Sequence, residues 1–124
     1  MRLPTCVVLL LCSLACFGCG GKSTDELIDD VKSPQVGDRV KAVRLLPQRK
    51  REAAKVVPAL VEALKDSQDD VRWSAAIGLG YFGEEAHDAI PALQEAQRDP
   101  DARVREAAGV ALSRIDPSRF SAPS

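Results

Sequence analysis

The sequence predicts an all-α fold: an α-solenoid of about three helical hairpins with a 33-residue period. Three observations carry this. Residues 57–79, VPALVEALKDSQDDVRWSAAIGL, align without a gap on residues 90–112, IPALQEAQRDPDARVREAAGVAL, when the chain is shifted by 33. A fainter third copy lies another 33 residues upstream, where Leu27, Lys32, Ser33, Arg39, Ala42 and Leu46 hold the matching places. Within each copy the apolar residues recur at helical rather than strand spacing.

The first eighteen residues stand apart. Met1 and Arg2 give a short positive start, and Cys6–Phe17 is an unbroken apolar run of twelve. A bilayer-spanning helix needs about 20 such residues. The run instead has the length and flanks of a secretory signal peptide, and small residues follow it. All four cysteines, Cys6, Cys12, Cys16 and Cys19, fall within the first nineteen residues, so no disulfide framework is expected in the body.

The mature chain from Cys19 to Ser124 has 106 residues, enough for one small domain. Once Arg2 is removed, 16 Lys and Arg remain against 18 Asp and Glu, a net charge of about −2. That balance provides no strong basic field for nucleic acid. With one Trp, one Tyr and two Phe left, the interior must be built of Ala, Val, Leu and Ile, which suits closely packed helices.

Taken in order, Ser23–Glu26 offers a capping box for the first helix. In the second copy Val57, Leu60, Val61 and Leu64 mark one helix, and Val71, Ala75, Gly78 and Leu79 the next. Asp66–Ser67 and Asp99–Pro100 mark the breaks between helices, with an oxygen-bearing cap and, in the third copy, a proline suited to a first turn. Pro58 and Pro91 are expected inside helices, each bending its helix by removing a backbone hydrogen bond. Gly83 is expected to end the second copy in a left-handed cap. The repeats are thus placed at about 24–50, 51–83 and 84–115. Residues 116–124 read as a disordered tail, with Phe120 available to cover the last repeat.

The repeated pattern of proline, aspartate, Val-Arg, alanine and leucine resembles HEAT repeats, of the short bacterial type also named for phycobilisome-lyase-like repeats. It is carried by Pro58, Asp66, Val71, Arg72, Ala75 and Leu79, and again by Pro91, Asp99, Val104, Arg105, Ala108 and Leu112. The first copy departs from it, with Asp25, Ser33 and Asp38 at the proline, aspartate and valine positions. The resemblance implies a polar ladder in the inter-repeat turns, assigned to Asp66, Arg72, Asp99 and Arg105, and a concave surface lined by the second helices. On that surface Trp73, Ile77 and Tyr81 form a stripe at helical spacing, the candidate partner-binding face. The leader similarly resembles a bacterial lipoprotein signal. That resemblance implies lipidation at Cys19, with Cys16 the second choice, and Gly20–Ser23 as a flexible tether. Plain secretion after signal cleavage is the alternative.

Catalysis has little support. His87 is the chain's single histidine, so the Glu84/His87 spacing cannot be completed into a di-iron site. Ser74 and Ser113 have no histidine base in any visible arrangement. Gly78-Leu-Gly80 lacks the strand that flanks a phosphate loop. The basic run Arg49–Arg51, near Arg44 and Lys55, reads as a solvated turn blunted by Glu52, with acidic lipid or an acidic partner as the alternative. The expectation is therefore a non-enzymatic HEAT-repeat lipoprotein of the bacterial envelope that binds an unidentified protein. It uses no metal, cofactor, nucleic acid or evident small-molecule substrate. An accessory or chromophore-lyase-like subunit of an enzyme system is the alternative.

Overall fold

The computed structural model describes residues 20–121, so Cys16, Cys19 and the leader lie outside the described residues. Among the described residues the fold is all helix, in three hairpins: α1 (Thr24–Asp30) with α2 (Val36–Leu45), α3 (Ala53–Ala63) with α4 (Asp69–Phe82), and α5 (Ile90–Ala96) with α6 (Ala102–Ile115). A short α7 (Pro117–Phe120) follows.

Equivalent leucines of the three copies, Leu27, Leu60 and Leu93, are all buried in one continuous core. In α6 the buried set Val104, Ala107, Ala108, Ala111, Leu112 and Ile115 keeps the i, i+3, i+4, i+7 rhythm of a helix with one apolar face. Neither stripe of a hairpin can be covered within that hairpin, and stacking supplies the missing surface. The second helices pack directly against one another, α4 lying between α2 and α6, whereas the first helices meet chiefly through 3₁₀ segments.

Small residues allow that direct packing. A Cβ on Gly78 would fall 2.8 Å from Pro47 Cγ and 3.2 Å from Leu60 Cδ1. On the other side of α4, a Cβ on Gly80 would fall 3.3 Å from Ala111 Cα. The mid-helix glycines of α4 therefore admit its two neighbours.

Side-chain caps start α1, α6 and α7 among the described helices. The Ser23 hydroxyl accepts from the Glu26 amide at 3.3 Å while Glu26 Oε2 accepts from the Ser23 amide at 2.7 Å, a complete capping box. Lys22 is held as well: its carbonyl accepts from Arg49 Nη2 at 2.9 Å and its ammonium pairs with Asp30 at 2.5 Å. The tether expected over 19–23 is thus pinned at its last two residues, because the cap and these bonds draw them onto the domain.

Four expectations need correction. Pro58 lies inside α3, but Pro91 is the second residue of α5, where its missing N–H costs nothing. The 3₁₀ segment Gly83–Ala89 precedes it, with Ala86 at φ −94°, ψ 19°, in place of a longer α-helix. The third-copy cap is Asp101, whose carboxylate accepts from the Arg103 and Val104 amides; Pro100 precedes the cap and so lies outside the first turn. Gly83 ends α4 at φ +56°, but its ψ of −133° is not that of the left-handed cap. It lies toward the positive-φ extended region that only glycine tolerates well. Finally, the tail is ordered through Ser121. Asp116 Oδ1 accepts from the Arg119 amide and the Ser118 hydroxyl, forming α7, and Phe120 packs on the core.

Two glycine substitutions test the packing account. Gly78→Ala should destabilise the domain by about 1–3 kcal/mol through overpacking against the Pro47 ring. Gly37→Ala in α2, with nothing within 4 Å of the new methyl, should stabilise it by up to about 1 kcal/mol through helix propensity. Urea unfolding midpoints of the two variants should therefore move in opposite directions.

Candidate functional site

Two constellations occupy the inter-repeat surfaces. The first is an arginine–aspartate relay. Arg72 Nε donates to Asp99 Oδ2 at 2.8 Å and Arg72 Nη2 to Asp99 Oδ1 at 3.1 Å, a forked pair across the second and third hairpins. Arg72 Nη1 also donates to the Asp66 carbonyl of its own hairpin's turn at 2.8 Å. Arg39 repeats the geometry one hairpin earlier: Nε to Asp66 Oδ2 at 2.8 Å, Nη2 to Asp66 Oδ1 at 3.2 Å and Nη1 to the Ser33 carbonyl at 2.9 Å. Arg105 makes only the intra-turn bonds, to the Asp99 and Pro100 carbonyls, and pairs with no carboxylate among the described residues. The relay thus consists of Arg39–Asp66 and Arg72–Asp99. Arg39 was the residue sequence reasoning passed over, although it aligns with Arg72 and Arg105.

Each aspartate has a second task. Asp66 Oδ1 accepts from the Gln68 amide and Asp99 Oδ1 from the Asp101 amide, both at 2.9 Å, closing the turn between first and second helix. In the first hairpin Ser33 closes the same turn, its hydroxyl accepting from the Gln35 amide at 3.2 Å. A hydroxyl suffices there because no arginine reaches Ser33 from an earlier hairpin among the described residues.

The Arg72–Asp99 side chains are only 16% and 9% exposed. Burial works against the Asp99 carboxylate, but the Arg72 hydrogen bond, the Asp101 amide and the Arg72 charge outweigh it and hold this carboxyl below the usual carboxylate range. The same hydrogen bond, against its own burial, raises Arg72.

The second constellation is the free stripe of α4. Trp73 and Ile77 are half-buried against the core, and Tyr81 is 55% exposed. A groove of about 530 Å³ runs along one side of the stripe, between α2 and α4. Another, of about 460 Å³, runs along the other side, between α4 and α6. Arg103 lies over the Trp73 ring at 5.7 Å and Arg114 over the Tyr81 ring at 5.9 Å. Arg103 is further tied to Asp69, Asp70 and Asp101 at 3.2–3.4 Å. The stripe is therefore a ridge between two troughs, braced by α6.

The family model for HEAT repeats matches residues 24–119, the stretch that holds all three hairpins. This chain is a HEAT-repeat protein. No curated protein matches it. HEAT repeats are generally protein-interaction or scaffold modules, and the family is generally non-enzymatic. Glu84, Glu85 and His87 are exposed on the 3₁₀ segment, and Ser113 donates to the Val110 carbonyl at 2.8 Å. Among the described residues no helix is long and apolar enough to cross a membrane.

The relay makes its own predictions. Arg72→Ala strands Asp99 and should cost about 2–4 kcal/mol, whereas Arg105→Ala, which breaks no fork, should cost under about 1 kcal/mol; denaturant melts of the two decide this. Since the folded Asp99 carboxyl lies below its unfolded value, its stabilisation is full above about pH 4 and is lost as the pH falls through the folded value. Asp99→Asn should lower stability at neutral pH and flatten that acid limb.

Proposed function

We propose that the protein is a non-enzymatic HEAT-repeat lipoprotein that presents its second-helix face to another protein at the bacterial cell envelope. The observation that carries the binding face is the Trp73–Ile77–Tyr81 ridge. It projects aromatic surface from the one side of α4 that no neighbouring helix covers. Tyr and Trp beside arginine, framed by troughs, have the composition of an interface hot spot. Its flanks are shaped by backbone packing, so little ordering is needed on binding.

The anchor is the sequence's contribution. A lipid on Cys19, or on Cys16 as second choice, holds the mature domain to a membrane leaflet. Each buried methylene adds about 0.8 kcal/mol, so two or more acyl chains hold where one does not. With Lys22 pinned to Arg49, only Gly20 and Gly21 separate Cys19 from the folded domain, which keeps the domain close to the headgroups.

Recovery of cross-linked partners from the envelope fraction tests the face. Tyr81→Glu, at an exposed position that should leave folding intact, is expected to reduce recovery at least about tenfold, or roughly 1.4 kcal/mol. Recovery equal to that of the unaltered chain would remove the ridge from the interface. Intact mass of the membrane-extracted protein tests the anchor: the expected product starts at Cys19 and carries diacylglycerol and acyl mass. A product without lipid mass would leave a secreted domain instead.

A further inference from the structure

Resting on the reading of the second-helix face as a binding surface, we propose that the groove between α2 and α4 receives an acidic, apolar segment of another protein. Its apolar residues would seat against Trp73 and Ile77 and its carboxylates would meet Arg44 and Lys50. The groove's walls are Val43, Pro47, Trp73 and Ile77, and its charged lining is Arg44 and Lys50 with no carboxylate. Neither cation takes part in an ion pair among the described residues. Glu52, the acid expected to blunt this charge, is turned away: its Oε1 accepts from the Thr24 hydroxyl at 2.7 Å. Lys55 is likewise occupied, by Asp25 at 3.1 Å.

The neighbouring groove is different. It contains Glu106, and its arginines are engaged, Arg103 by three aspartates and Trp73, and Arg114 by Tyr81. Uncompensated positive charge beside open apolar wall therefore occurs on the α2 side of the ridge. The floor there adds a polar point, Ser74, a residue 6% exposed whose hydroxyl oxygen has no hydrogen-bond partner. An anionic bilayer offers the same charge, but a planar headgroup layer meets the outward Arg49 and Arg51 and does not descend between two helices to Ile77. The recessed apolar wall favours a peptide. Rim charge of this kind sets orientation and encounter rate as well as affinity.

Trp73 is the chain's single tryptophan, so its emission reports the groove directly. The full-length chain is titrated with a short peptide alternating Glu and Phe, with its Lys-for-Glu counterpart, and with vesicles containing phosphatidylglycerol. The expected result is a saturable shift in Trp73 emission with the acidic peptide alone, weakened at least about tenfold by Arg44→Glu with Lys50→Glu and by added salt. Arg49→Glu with Arg51→Glu should change the affinity less than about twofold on that scale. All four positions are exposed, and unchanged helical circular dichroism verifies the fold of each variant. Even if a variant unfolds, the acidic-versus-basic peptide comparison and the salt series on the unaltered chain still decide. Equal response to both peptides, or none to either, overturns the proposal. So does an emission shift with vesicles alone that disappears in the Arg49/Arg51 variant, which makes the patch a membrane contact. Envelope partners lost in Tyr81→Glu but kept in Arg44→Glu with Lys50→Glu would sink the acidic-segment assignment while leaving the binding face in place.

Discussion

Helix α4 is gripped from three sides, and the rest of the molecule follows from that. It packs on α2 and its own partner α3, with Gly78 lying against Pro47 just past the end of α2 and against Leu60 of α3, and on α6 past Gly80. Only one strip of its circumference remains, and Trp73, Ile77 and Tyr81 occupy it. The exposed stripe and the core are thus two sides of one helix. Shaving the inner side to glycine and alanine brings the neighbours close, and that closeness creates the troughs flanking the outer side. A bulkier inner face would spread the second helices apart and reshape the grooves between them.

The arginine relay supplies what apolar packing lacks, which is register. Hydrophobic contact between helices is non-directional. A guanidinium that must reach its own turn's carbonyl with one nitrogen and the next hairpin's carboxylate with two others fits one relative placement only. The carboxylate in turn closes the loop that starts its own second helix, so each hairpin's turn is tied to its neighbour's position. A largely buried ion pair is a poor source of net stability compared with apolar packing, and fixing one arrangement among several is the role that suits it here.

The architecture was legible because its signal is redundant. Leu27, Leu60 and Leu93 repeat at one interval, as do Arg39, Arg72 and Arg105, and a period of 33 with helical spacing leaves few alternatives. Local chemistry was legible at the Ser23–Glu26 box and in the position, though not the conformation, of the end of α4 at Gly83. What escaped depends on three-dimensional neighbours. Nothing in Pro91's local sequence says that the residues before it wind as a 3₁₀ segment, since that choice lets Ala86 and Ala89 reach the core. Arg39's fork is not visible within its own copy, because its carboxylate partner, Asp66, belongs to the next hairpin. The tail's helix needed Phe120 to find the last repeat, a tertiary contact that a polar, proline-containing stretch does not advertise. The sign of the α2–α4 groove also depended on contact, for Glu52 neutralises the basic run in sequence but is directed at Thr24 in space.

The surface proposed for binding is what is left over once three short hairpins have satisfied one another. Three repeats is about the lower limit for such a stack, so the central hairpin, with neighbours on both sides, must be its most stable part. Native-state hydrogen exchange measures this directly. The account predicts that amides of α4, from Val71 to Gly80, exchange slowest and only through global unfolding, with an opening free energy equal to that from denaturant melts. Amides of α4 opening at lower free energy than those of α1–α2 or α5–α6 would show that the hairpins do not share one core, and would contradict it.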